Sequence, residues 1–182
     1  MTMMDNPIST DADSSRFTAL NALSPEVFTA RLADIFEHSP WVPQRVAHLR
    51  PFRDVSQLHN ALVSAVAQAS PAEQLALLCA HPELAGREAQ QGGLTAASDQ
   101  EQARAGLKAL SPAEMKRITA LNAAYLERHG FPFIVCVGNH TKQSLFLEFD
   151  RRVGNARESE MREALGQVAD IALLRLNALF SV

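Results

Sequence analysis

His81 lies in the stretch Ala80-His81-Pro82-Glu83-Leu84-Ala85-Gly86, Glu101 in the polar run Ser98-Asp99-Gln100-Glu101-Gln102, and Arg175 in the apolar stripe of the last predicted helix. Together these three side chains could carry out acid–base chemistry on a small anion. An imidazole with an ordinary pKa of ~6.5 can donate or accept a proton near neutrality. A carboxylate can accept from a hydroxyl or an N–H, and a guanidinium can grip a carboxylate through two parallel bonds.

Each of the three also has an ordinary structural explanation. His81 follows a helix through Leu75, Leu77 and Leu78, and Pro82 forbids a simple continuation. A histidine there can simply answer the helix dipole. Glu101 is the third residue of a Ser-x-x-Glu capping box begun at Ser98, which would satisfy backbone N–H groups at a helix start. The same N–H groups could equally favour an anionic ligand. Arg175 falls between Ala172 and Leu179 in a stripe formed by Met161, Leu165, Val168, Ala172, Leu176 and Leu179. Either its stem snorkels to solvent, or it meets an anion inside, a buried carboxylate or a ligand. The pairs Arg151-Arg152 and Arg157-Glu158, with Glu160 and Arg162, read as solvated faces.

The elements that must position these groups are helices. Ser24-Pro25 opens one running to about Glu37, and Asp54 caps another with Leu58, Leu62, Val66 and Ala69 on one face. Ser70-Pro71-Ala72-Glu73, Ser98-Asp99-Gln100-Glu101 and Ser111-Pro112-Ala113-Glu114 share the capping-box signal and predict helices over about 71–80, 99–109 and 112–129. Gly130 can cap the third in the left-handed conformation. Phe131-Pro132-Phe133-Ile134-Val135-Cys136-Val137 is short, apolar and β-branched, and reads as a buried extended segment. Helix resumes near Lys142, stops at Gly154, and a last helix covers about 156–179. The expected fold is all-α, a single-domain helical bundle over 19–182 with one extended segment near 131–137, preceded by a polar, disordered tail over 1–18.

The totals narrow the function classes. The chain has 182 residues, 47% apolar and 20% charged, as in an ordinary globular protein. A formal net charge of −3 gives no electrostatic reason to expect nucleic acid. No apolar run approaches the ~20 residues of a membrane span, and Met1 to Arg16 lack the apolar centre of a signal peptide, so the cytoplasm is expected. Cys79 and Cys136 are the only cysteines, both in apolar runs, and read as small buried hydrophobes. No Cys-x-x-Cys or His-x-x-x-His spacing supports a metal site.

Taken in order, four motifs form a signature. They are His81-Pro82-Glu83-Leu84-Ala85-Gly86; Leu94-Thr95 with Ser98-x-x-Glu101-Gln102; Leu121-Asn122-x-x-Tyr125 with Phe131–Val137; and Gly154-Asn155-x-Arg157-x-x-Glu160. This pattern resembles the 2-oxo-4-hydroxy-4-carboxy-5-ureidoimidazoline (OHCU) decarboxylases of urate breakdown, over about residues 20–180. Glu83 stands where Asp is common in that family. The resemblance implies an all-helical homodimer that forms (S)-allantoin and CO2 without a cofactor. It implies His81 as catalytic acid/base with Glu101 and Arg175 as partners. Substrate contacts are implied at Pro82, Ser98, Glu101 and Gln102, and along the backbone of Phe133, Ile134, Val135, Cys136 and Val137. The competing reading is a non-catalytic helical module that binds a purine-derived ureide or a partner helix. For catalysis, His81, Glu101 and Arg175 are expected to line one cavity.

Overall fold

The computed structural model describes residues 8–180, with side chains from Ser15 onward. Among these residues the chain forms ten α-helices and no β-strand, so the all-α expectation holds. None of the helices is long and apolar enough to cross a membrane. Two compact units are distinguished: residues up to Ala69 together with those from Ala172, and Ser70–Ile171.

The first unit holds α1 (Ile8–Asn21), α2 (Pro25–Arg31), α3 (Trp41–Val46) and α4 (Val55–Ala67), with single 3₁₀ turns at Ala33–Ile35 and Ala47–Leu49. α1 corrects the expected tail: residues 8–18 are helical, and only 1–7 of that span lie outside the described residues. Its C-terminal half is anchored by Phe17 and Leu20, both buried, with the Phe17 ring stacked on Phe180 at 4.6 Å. Burial of that apolar pair offsets the weak helix propensity of the Ser, Thr and Asp residues before it. Ser24 and Asp54 cap as their types predict, accepting from the N–H groups of Val27 and Gln57. The helix expected to reach Glu37 stops at Arg31, and a 3₁₀ turn follows. Phe28, Leu32, Phe36, Leu58, Leu62 and Leu176 fill this core.

The second unit contains α5 (Pro71–Cys79), α6 (Arg87–Gln91), α7 (Ala96–Arg104), α8 (Pro112–His129), α9 (Lys142–Val153) and most of α10 (Arg157–Phe180). Capping boxes form at Ser70/Glu73 and Ser111/Glu114, and Gly130 ends α8 at φ 78°. The box expected at Ser98/Glu101 does not form. α7 starts three residues earlier, and its N-cap is Thr95, whose hydroxyl accepts from the Ser98 N–H at 3.3 Å. Cys79 is exposed, against the expectation of burial, while Cys136 is buried.

A buried polar knot holds this unit together. Arg152 and Glu160, expected on solvated faces, are both 0% exposed and lie 2.6 Å apart. Asn155 Nδ2 donates to the other Glu160 oxygen at 2.7 Å, and the Tyr125 hydroxyl donates to the first. Phe131, Phe133 and Phe149 meet Tyr125 edge-on. Burial and the neighbouring Glu160 push the Tyr125 pKa well above the ordinary phenol value, so it stays a donor. Solvated faces were the wrong reading because Arg152 and Glu160 meet across the junction between α9 and α10, eight residues apart, rather than along one helix.

Candidate active site

His81 emerges where α5 runs out. Its N–H still reaches back to the Leu78 carbonyl, and Pro82 then turns the chain away. The side chain is 8% exposed, with Nδ1 2.9 Å from the Leu77 carbonyl. A carbonyl can only accept, so Nδ1 carries the proton of the neutral ring and the lone pair resides on Nε2. The backbone thereby selects the tautomer that makes Nε2 the basic nitrogen.

The loop after His81 is bent in a way most residues resist. Ala85 has φ 48°, in the left-handed region. A Cβ at Gly86 would lie 2.6 Å from the Glu83 Cβ, so only glycine fits there. Three side-chain amides hold this conformation. Gln102 Oε1 accepts from the Ala85 N–H at 2.8 Å, Asn122 Nδ2 donates to the Leu84 carbonyl at 3.0 Å, and Gln90 Nε2 donates to the Ala85 carbonyl at 3.0 Å.

Glu101 and Gln102 lie three and four residues after Ser98 on α7, so each neighbours Ser98 on the helix surface. Ser98 and Gln102 are buried and Glu101 is half-buried. Because α7 begins at Ala96, Glu101 sits in the body of the helix. Its carboxylate is therefore not the third-residue acid of a capping box.

α7 also packs against the turn Val137–Asn139, which closes the extended segment. That segment is non-helical from Phe131 to Cys136, is buried from Phe131 to Val137, and pairs with no strand among the described residues. Ile134 gives its carbonyl to Arg152 Nη1 at 2.8 Å, and Cys136 its N–H to Gln167 Oε1 at 2.8 Å. The Phe133 ring lies between the Phe149 ring, at 3.8 Å, and the Arg152 guanidinium, at 4.6 Å.

The His81 loop, the Ser98–Gln102 face and the Phe133–Val137 segment are thus joined by direct contacts within the second unit. Arg175 belongs to the first unit. There it is 9% exposed, and its Nη1 donates to Glu37 Oε2 at 3.0 Å and to the Asp34 carbonyl at 3.1 Å. Of the two anions open to Arg175, the structure shows the buried carboxylate. Gln167 had no part in the sequence reading, while Glu37 entered it only as a helix end and Asn122 only within the Leu121-Asn122-x-x-Tyr125 motif.

Comparison with known proteins gives one family. The sequence pattern of the family described as OHCU decarboxylase matches residues 21–177. The chain is 40% identical over 162 residues to the 2-oxo-4-hydroxy-4-carboxy-5-ureidoimidazoline decarboxylase of Haloferax volcanii, covering 89% of this chain and 94% of the relative. It is similar to the crystal structure of (S)-allantoin synthase, with a TM-score of 0.73 and 31% identity over 90% of this chain and 53% of the other. A crystal structure of OHCU decarboxylase in the presence of (S)-allantoin shares the fold, with a TM-score of 0.67 and 19% identity over 82% of this chain and 96% of that one.

Proposed function

The chain belongs to the OHCU decarboxylase family, and from that premise we propose how its residues carry the reaction. The protein is a carboxy-lyase of urate degradation that decarboxylates 2-oxo-4-hydroxy-4-carboxy-5-ureidoimidazoline to allantoin. The observation that carries the residue assignment is His81. It is a nearly buried imidazole with Nε2 left basic by the Leu77 carbonyl, on a loop clamped by the same α7 that presents Glu101.

The substrate holds its own electron sink, an imine beside the carbon that loses CO2. When that C–C bond breaks, its electron pair moves into the ring and on to the imine nitrogen. The hydroxyl gives up its proton to become a carbonyl, the imine nitrogen takes one, and the ureido-bearing carbon takes one. The net uptake is one proton, and no cofactor is needed for electron flow. His81 is the group that moves the hydroxyl proton or delivers one to the ureido-bearing carbon. Delivery from one side makes a single enantiomer, (S)-allantoin. Glu101 accepts from the hydroxyl or from a ring or ureido N–H. Arg175, whose Nη1 also donates to Glu37 and the Asp34 carbonyl, holds the carboxylate or an adjacent oxygen and aligns the breaking bond. Pro82, Ser98, Gln102 and the Phe133–Val137 backbone complete the substrate contacts. In this reading Gln102 also serves the loop, because its Oε1 is already given to Ala85. The working form is a cytoplasmic homodimer, as the family likeness implies.

The test is a coupled assay in which urate, urate oxidase and the hydrolase that follows it generate substrate freshly, with circular dichroism reporting allantoin. His81→Gln should slow decarboxylation by ~10²–10⁴ while leaving the far-ultraviolet spectrum unchanged. Near-wild-type turnover in that variant would remove His81 from the chemistry. Failure of the wild-type protein to beat the spontaneous rate would favour a ureide-binding module instead.

A further inference from the structure

We propose that Gln167 and Arg152 are positioning residues that hold one edge of the 133–137 segment, so that the opposite edge, the peptide of Val135, is presented to the substrate. This rests on the reading that the segment contacts the substrate.

A buried, non-helical stretch must find partners for its peptide groups, and in most folds a neighbouring strand supplies them. Here no strand does so among the described residues. Two side chains from two helices take that place, Arg152 of α9 on the Ile134 carbonyl and Gln167 of α10 on the Cys136 N–H, both at 2.8 Å. In an extended chain the peptide groups of residues i and i+2 face one edge and those of i+1 face the other. Ile134 and Cys136 therefore share the edge that is held. Among the described residues, none hydrogen-bonds the N–H or carbonyl of Val135, although Val135 is buried. A donor and an acceptor on one residue match the adjacent N–H and C=O of a ureide or a ring lactam, the chemistry the substrate carries.

The two holders differ in how firmly they are themselves held. Arg152 is fully buried, paired to Glu160 and laid over the Phe133 ring, so removing it would disturb the whole knot. Gln167 is half-buried and reaches the segment through one hydrogen bond, so it can be changed with the fold intact.

The experiment therefore uses Gln167→Met, which removes the acceptor at nearly constant volume, and Gln167→Glu, which keeps one. Amide hydrogen exchange at Cys136, KM and kcat in the coupled assay, and affinity for neutral (S)-allantoin are measured for the full chain. Gln167→Met should speed Cys136 exchange at least about ten-fold and raise KM and the allantoin Kd about five- to ten-fold, the scale of one net hydrogen bond. Its kcat should stay within about two-fold, and Gln167→Glu should recover most of the allantoin affinity. Unchanged exchange in Gln167→Met would overturn the holding role and leave the substrate reading untouched. Faster exchange with KM and allantoin affinity unchanged would instead show that the segment does not bind substrate, and the proposal would fall with that reading. Equal losses in both variants would also overturn it, since the retained acceptor would then be irrelevant.

Discussion

Arg175 illustrates why a charged residue in an apolar stripe is informative. Its guanidinium is neither snorkelled to solvent nor stranded; Glu37 and the Asp34 carbonyl take both hydrogens of Nη1. Because the guanidinium is planar, fixing one nitrogen fixes the direction of the others. Charge and fork can be separated by substitution. Arg175→Met removes the cation paired with the buried Glu37 carboxylate and should cost ~3–5 kcal/mol in denaturant unfolding. Arg175→Lys keeps the charge, so stability should largely hold while kcat/KM falls. If Arg175→Lys turned over at the wild-type rate per folded molecule, Arg175 would be only the counterion of Glu37. At His81 the decisive detail is equally small: the choice of tautomer comes from one carbonyl a turn back in its own helix.

Two overlapping start signals compete for the beginning of α7, and the upstream one wins. Thr95 caps the helix, which places Ser98 and Gln102 on the buried face. Thr95→Ala should therefore cost ~1 kcal/mol of stability. Glu101→Gln should lower turnover more than it lowers the unfolding midpoint. A large stability loss in Glu101→Gln with little loss of activity would restore the capping role. α8 offers a pH-dependent counterpart. The Lys142 ammonium, with help from Ser111, holds the half-buried Glu114 carboxyl down at about 2. Its folded pKa lies below the unfolded value, so its contribution is present above ~4.5 and is lost as pH falls toward 2. Lys142→Ala should move the Glu114 titration, followed by NMR, back toward the ordinary range. An unmoved titration would assign the depression to the Ser111 cap alone.

Over the whole molecule, the fully buried Arg152–Glu160 pair ties two helices together. Removing one partner leaves an uncompensated buried charge, so Arg152→Met should cost ~3–5 kcal/mol by denaturant titration. Adding Glu160→Leu to it should return a substantial part. If the double variant were no better than the single one, the pair would matter through the Ile134 carbonyl rather than through charge. Much of the helical plan was legible in the chain itself. The starts at Ser24, Asp54, Ser70 and Ser111, the glycine end at Gly130 and the apolar run 131–137 all depend on residues within about four positions of one another. The polar residues proposed for the site were chosen by type, which local sequence displays directly. What tertiary structure alone decided is what those residues touch: Arg175 meeting Glu37, Arg152 buried against Glu160 and Ile134, Gln102 and Asn122 bracing the His81 loop, and Cys79 left exposed. A cap is satisfied within one turn, so local sequence specifies it. Burial of a charge or a peptide group depends on which distant surface arrives to cover it, and no local spacing encodes that.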